Sequence, residues 1–321
     1  MNIDLAFLAD EKKEARERVV AALTQSERNE FDYHWRLLAR PSQLAPAGDW
    51  RVWMIMAGRG FGKTRTGAEW VREIADNHPE ARIAIVSSSL NEARSVMVEG
   101  ESGVLACCTP EERPLYEPSL RRLKFPNGAQ ATLYSAADPE SLRGPQHSHA
   151  WCDETGKWPL SAERATRSWD NLLMGLRVTR DPRIVVTTTP RTVPVIERLL
   201  KQEEDGSVAV TRGSTYENVG NLPRRFFDAI EAEFSGTRLA RQEICGEFLK
   251  DIEGALWSRS LIESAREHGA TPKSARVVVA VAPPASSSGD ECGIVVTALG
   301  QDGIARVLAD CSLTHASPDQ W

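Results

Sequence analysis

Apolar residues along this chain fall in short runs separated by charged and turn-forming segments. Residues 51–56 (RVWMIM), 82–87 (RIAIVS), 130–135 (QATLYS), 149–152 (HAWC) and 183–188 (RIVVTT) each read as a strand. Runs without a polar face suit a mainly parallel sheet covered by helices, so the expected fold class is α/β. Residues 10–39 read as helical, with Val19, Val20 and Leu23 on one apolar face, until RPSQLAPAGDW breaks the pattern. Residues 222–249 space Phe226, Phe227, Ile230 and Phe234 helically, with Gly236 placed to end that helix, and predict a small helical subdomain at the edge of the sheet. From about residue 273 the pattern changes to three strand-like runs, ARVVVAVAPP, CGIVVTALG and GIARVLADCS, joined by turn chemistry and predicting an antiparallel meander. Three strands make a poor independent domain, so this segment reads as the start of something larger.

Composition narrows the classes without choosing one. The 321 residues are 41% hydrophobic and 26% charged, enough for a substantial core. No apolar run is long enough for a membrane span, and the acidic N-terminus does not fit a signal peptide, so a cytoplasmic protein is expected. The six cysteines form no CxxC pair, which points to reduced thiols rather than a zinc site or a disulfide framework. A net charge of −6 argues against coating nucleic acid by bulk charge and confines any DNA contact to a local groove.

The candidate chemistry begins where the first strand ends. AGRGFGKTRTGAEW, residues 57–70, follows the phosphate-binding pattern G-x-x-x-x-G-K-[ST] with Ala57 at the first glycine position. Gly58, Gly60 and Gly62 free the backbone to turn N–H groups toward an anion, and the following helix aims its positive end at the same place. In that pattern Lys63 reaches the β/γ-phosphates of ATP and Thr64 holds Mg²⁺. Hydrolysis further needs a carboxylate on the metal and one on the attacking water, and HAWCDE places Asp153 and Glu154 at a strand end, although most such pairs are solvated charges.

Two arginines are candidates to complete the site: Arg59 inside the loop, and Arg143 in ESLRGPQ, for which pairing with Glu140 or Asp138 is the plain alternative. Thr187, Thr188 and Thr189 end the strand RIVVTT, where they either sense a phosphate or satisfy the backbone before Pro190. Gln43 precedes the first core strand and either reads an adenine edge or is an ordinary loop residue.

In order, RPSQLAP, GDWRVWMIMAGRGFGKTRTGAEW, SLRGPQ, CDE, VVTTTP and TYENVGNLPRRFFDAIEAEFSGTRLARQEICGEF resemble the large terminase subunit, the DNA-packaging motor of tailed bacteriophages, prophages and gene transfer agents. The resemblance implies a P-loop NTPase of the ASCE type over residues 1–255 with a lid subdomain at about 200–250, a linker at 256–272, and an incomplete ribonuclease H-like domain at 273–321. It implies ATP and Mg²⁺ as cofactors, Gln43 as the adenine reader, and Arg59, Lys63 and Thr64 as the phosphate-loop group. Asp153 and Glu154 become the metal-binding and catalytic carboxylates, Arg143 the residue acting on a neighbouring subunit's ATP, and Thr187, Thr188 and Thr189 the coupling motif. The implied partners are double-stranded DNA, a small terminase subunit, the portal protein and further copies in a ring, by family a pentamer. The implied location is the cytoplasm of the bacterial host and, transiently, the portal vertex.

The nuclease half departs from the family. Its first strand ordinarily ends in an aspartate where this chain has Ala282, its later acidic positions would fall beyond Trp321, and Asp290, Glu291 and Asp310 are not expected to rebuild a two-metal site. The expectation is an ATPase without a working nuclease. A helicase-like DNA-dependent ATPase and a nucleotide-binding assembly protein without turnover are the two alternatives. Basic candidates for DNA contact are Arg121, Arg122, Lys124, Arg224 and Arg225, each of which is equally a solvated surface charge.

Overall fold

The computed structural model describes residues 21–22, 24, 27, 31–158, 162–234, 237–249, 265, 274–283 and 292–313. The chain divides into two compact units, Met1–Ala255 and Leu256–Trp321. Val19, Val20, Leu23 and Gly236 lie outside the described residues, as do Asp290 and Glu291.

The first unit is built on eight strands: β1 Val52–Ala57, β2 Arg82–Ser87, β3 Leu115–Glu117, β4 Arg122–Lys124, β5 Gln130–Ser135, β6 His149–Cys152, β7 Arg183–Thr188 and β8 Val208–Gly213. Their order is β3-β4-β5-β2-β6-β7-β1-β8. The pairs β5-β2, β2-β6, β6-β7, β7-β1 and β1-β8 are parallel, and β3-β4 and β4-β5 are antiparallel. Five helices carry the argument: α1 Lys63–Asn77, α2 Ala162–Gly175, α3 Pro194–Lys201, α4 Arg224–Phe234 and α5 Arg238–Glu243.

The burial pattern explains why the central strands read as unbroken apolar runs. Trp53, Ile55 and Ala57 of β1 join one cluster with Ala68, Trp70, Val71 and Ala75 of α1. The alternate residues Val52, Met54 and Met56 join a second cluster with Trp169 and Leu172 of α2 and Ile196 and Leu199 of α3. Side chains two apart share a face, so two clusters drawing on alternate residues mean a sheet covered on both sides. Each fully buried aliphatic side chain contributes about 1.5–3 kcal/mol relative to exposure. Helix α1 approaches β6 closely enough that a methyl group on Gly67 would stand 2.2 Å from the fully buried Trp151 ring. That contact fixes the helix carrying Lys63 against the strand carrying Asp153.

All five expected strands are present. The elements missed are the three-residue strands β3 and β4, too short for an alternation to register, and β8. Residues 208–213 lie within the stretch assigned to the lid, yet they pair parallel with β1 from Val52↔Val208 to Ala57↔Gly213. After this strand, helical structure resumes at Thr215. Thr211 and Arg212 interrupt the apolar character of this edge strand, which is why it did not register. Within the helical segment Phe227 packs on Phe226 and stacks on Tyr216.

The second unit contains β9 Ser274–Ala282, β10 Gly293–Gly300 and β11 Ala305–Asp310, antiparallel in the order β11-β10-β9, as the meander pattern predicts. Ala282 ends β9 opposite Gly293. All six cysteines are free thiols. Among the described residues no helix is long and apolar enough to cross a membrane, and no group of metal-ligating side chains forms a cluster.

Candidate functional site

Strand order brings the motifs together. β6, β7 and β1 are parallel neighbours, so Asp153 and Glu154, Thr187 to Thr189, and loop 58–62 all emerge at the same end of the sheet. In open α/β sheets the strand C-termini form the ligand crevice.

Gly60 and Gly62 have positive φ of 71° and 99°, a backbone that favours glycine. Lys63 opens α1 and is buried, its Nζ donating to Ala57 O at 2.9 Å, Gly58 O at 3.0 Å and Thr189 Oγ1 at 3.4 Å, with Glu154 Oε1 at 3.8 Å. Burial pushes its pKa down, and Glu154 and then Asp153 push it back up. Among the described residues the N–H groups of Gly60, Gly62, Lys63 and Thr64 have no protein acceptor. Four converging donors at the N-terminus of a 15-residue helix suit an oxyanion such as a polyphosphate.

The carboxylates are held by the threonines. Asp153 is buried and accepts from Thr187 Oγ1 at 2.5 Å, while Thr187 Oγ1 itself receives Trp151 Nε1 at 3.1 Å. Burial raises the Asp153 pKa to about 6, and the Thr187 bond works against that rise. A buried carboxylate with one hydroxyl donor is under-solvated as an anion, which suits it to a metal ion. Glu154 sits in left-handed backbone, φ 45° and ψ 48°, where a non-glycine residue is strained. Its Oε2 accepts from Thr189 Oγ1 at 3.4 Å. Thr188 does the backbone work instead, accepting from Gly156 N at 3.0 Å and donating to Thr189 O at 2.8 Å.

Gln43 is buried, with Nε2 3.2 Å from Thr66 Oγ1 and Oε1 accepting from Arg40 N at 3.2 Å. A methyl on Gly62 would stand 2.6 Å from its Nε2, so Gln43 packs directly on the phosphate loop. Thr64 is half-buried in the first turn of α1. Arg59 is turned to Glu243 at the end of α5, its Nε 2.6 Å from Oε2 and its backbone N–H 2.6 Å from the Glu243 carbonyl. Arg143 is not brought to the loop. It is exposed, and its ion-pair partner is Glu140 at 3.7 Å, the plain alternative allowed by the sequence. Arg122 pairs with Glu117, and Arg121, Lys124, Arg224 and Arg225 are exposed.

Sequence reasoning missed the residues that hold the loop open. Three successive loop carbonyls are bound from outside: Arg59 O by Thr215 Oγ1 at 2.6 Å, Gly60 O by Asn218 Nδ2 at 2.6 Å, and Phe61 O by Arg40 Nη2. Arg40 Nη1 also reaches Asn218 Oδ1 at 2.8 Å. A methyl on Gly58 would stand 2.3 Å from Ile244 O and its N–H donates to Gly213 O at 3.0 Å, so this glycine answers to a close backbone approach, its N–H already taken. Fixing the carbonyls outward leaves the N–H side free for a ligand. Thr215 and Asn218 lie more than 150 residues away along the chain, so no local spacing announces them.

The family model described as "Terminase large subunit, T4likevirus-type, N-terminal" matches residues 54–264. The chain belongs to this large terminase family. Solved large terminases share its fold at low identity. The ATPase domain of the large terminase of Thermus phage P74-26 is 16% identical, covers 66% of this chain and 94% of its own, and has a TM-score of 0.51. The large terminase of a thermophilic bacteriophage, solved in complex with ADP, is 10% identical, covers 90% of this chain and 68% of its own, and has a TM-score of 0.53. A search of curated proteins finds no match.

Proposed function

We propose that this large terminase chain hydrolyses ATP and uses the energy to move double-stranded DNA into a preformed phage-type capsid. The observation that carries the reading is the convergence of Lys63, Thr189 and Glu154 on one another at 3.4–3.8 Å beside four N–H groups of the loop and the first turn of α1 that have no acceptor among the described residues. The N–H groups of Gly60, Gly62, Lys63 and Thr64 bind the phosphates, with Lys63 as their counter-charge and Gln43 placed at the base side. Thr64 and Asp153 would hold Mg²⁺, which when bound neutralises charge on the phosphates. Glu154, fixed by its strained backbone and by Thr189, orients the attacking water and accepts its proton. Arg59 leaves Glu243 to meet the terminal phosphate. Thr187, on Asp153, and Thr189, on Glu154 and Lys63, with Thr188 on the backbone between them, pass the change of ligand state into β7.

Residues 1–255 form the ATPase domain in this reading, with the segment from Thr215 to about 250 as its lid, 256–272 as a linker, and 273–321 as part of a ribonuclease H-like domain. Ala282 offers no metal ligand at the end of β9, and this supports a chain without DNA cleavage. Arg143 acts in trans on a neighbour's ATP, in a homo-oligomeric ring, by family a pentamer, that docks with a small terminase subunit and the portal protein. That places the work in the bacterial host cytoplasm and at the capsid's portal vertex. The test is steady-state ATP hydrolysis against protein concentration, with duplex or single-stranded DNA added. A rate per chain that climbs with concentration and responds to duplex DNA is expected; a flat rate, or stimulation by single strands alone, would contradict the motor reading.

A further inference from the structure

Away from the phosphate loop, the 139–145 turn and helix α2 enclose a cleft of about 320 Å³ whose lining includes Arg143, Arg167 and Arg177 and no carboxylate. Its walls are tied down. Asn171 Nδ2 donates to Pro139 O at 2.8 Å and Ser168 Oγ to Ala136 O at 2.7 Å, so α2 and the turn that presents Arg143 hold one spacing. On the same turn, one carboxylate meets two guanidiniums from different elements. Glu140 Oε1 receives Arg167 Nη2 at 2.6 Å, and Glu140 Oε2 lies 3.7 Å from Arg143 Nη1. Arg177 has no ion-pair partner among the described residues.

Two guanidiniums that meet on one oxyanion, each through a single nitrogen, suit a multi-oxygen anion, and a terminal phosphate with three oxygens can engage both planar forks more fully than the carboxylate does. The resident carboxylate is a weak occupant, because Glu140, Arg143 and Arg167 are each more than half exposed and exposed pairs of this kind contribute little. Among the described residues, none of the three arginines bonds to any group of this chain's own nucleotide site, where Arg59 already supplies an arginine.

We propose that Arg167 joins Arg143, with Arg177 beside them, in a clamp for the terminal phosphate of a nucleotide held by a second copy of this chain, and that Glu140 fills the clamp in the free subunit. The proposal rests on the reading of Arg143 as acting in trans. Docking of the second copy exchanges the Glu140 carboxylate for phosphate, so the clamp is charged and assembled before contact. Glu140 thereby limits binding of phosphate by unassembled chains.

The test uses the full chain at concentrations where hydrolysis depends on assembly. Arg167→Ala alone loses at least about tenfold in rate, a modest part of the ~10³–10⁵ an arginine finger is worth. Mixed with Glu154→Gln it regains activity, because one chain then supplies the clamp and the other the hydrolytic site; a merely misfolded variant regains nothing. Arg167→Lys recovers part of the loss. Glu140→Gln lowers the protein concentration for half-maximal hydrolysis severalfold. Arg143→Ala mixed with Glu154→Gln is run in parallel. Rescue there, with Arg167→Ala as active as wild type and Glu140→Gln without effect, overturns the clamp and leaves the trans reading standing. No rescue in either mixture overturns both. Weakened duplex binding by Arg167→Ala with hydrolysis intact assigns the cleft to DNA phosphates and overturns the proposal as well.

Discussion

Arg59 and Glu243 are joined twice: the guanidinium meets the carboxylate at 2.6 Å, and the backbone N–H of Arg59 meets the Glu243 carbonyl at 2.6 Å. One bond fastens the phosphate loop to the end of α5, and the other holds its arginine away from any ligand. Glu243 is nearly buried while Arg59 is mostly exposed, so the carboxylate is the fixed partner and the arginine the one that moves. Glu243→Gln keeps the backbone tie and removes the charge that retains Arg59. The expected outcome is an ATP half-saturation concentration lowered severalfold with the maximal rate changed less, measured by steady-state hydrolysis.

Thr187 sets the working range of Asp153. The Asp153 carboxyl titrates at about 6 in the folded chain because burial raises it while the Thr187 hydroxyl bond lowers it. Only the ionised form binds a metal, so the Mg²⁺ concentration for half-maximal hydrolysis should rise as pH falls through about 6. Thr187→Val removes the opposing bond and raises the pKa further, moving this acid limb upward by about one unit, as loss of one hydrogen bond to a charged group allows. Hydrolysis against Mg²⁺ at a series of pH values reads the shift directly.

Two histidines make the fold acid-sensitive. His147 and His149 are buried, and burial pulls each from 6.5 down to about 4. A base whose folded pKa is depressed binds more protons unfolded, so stability is present above 6.5 and is lost as pH falls toward 4. Asp153, raised to about 6, works in the opposite sense and stabilises the fold as pH falls through 6. From these three groups alone, urea unfolding should show stability falling by about 3 kcal/mol between about pH 7 and about pH 4.5, at about 1.4 kcal/mol per unit of pKa difference. His147→Phe should flatten that slope.

What was legible in the chain follows the range of the interactions. The central strands declared themselves because both faces of each are buried, and the phosphate loop because its chemistry lies within a few consecutive residues. Asp153, Glu154 and the threonines come together because parallel neighbouring strands finish at the same end of the sheet. Strand β8 stayed hidden because edge burial left Thr211 and Arg212 partly outside. Arg40, Thr215, Asn218 and Glu243 stayed hidden because side chains distant in sequence bind backbone carbonyls or a single arginine, with no spacing to mark it. For Arg143 both options were open, and in the single chain the local ion pair with Glu140 prevails, three residues away on the same turn.

The measurement that bears most directly on the account compares Glu154→Gln with wild type for ATP binding and for ATP hydrolysis. The substitution keeps the size of the side chain beside Thr189 and Lys63 and removes the base. Hydrolysis falling at least about a hundredfold, within the range a general base contributes, with ATP affinity held within a few-fold, is the predicted result. Hydrolysis at the wild-type rate would remove Glu154 from the chemistry and contradict the site described for this terminase.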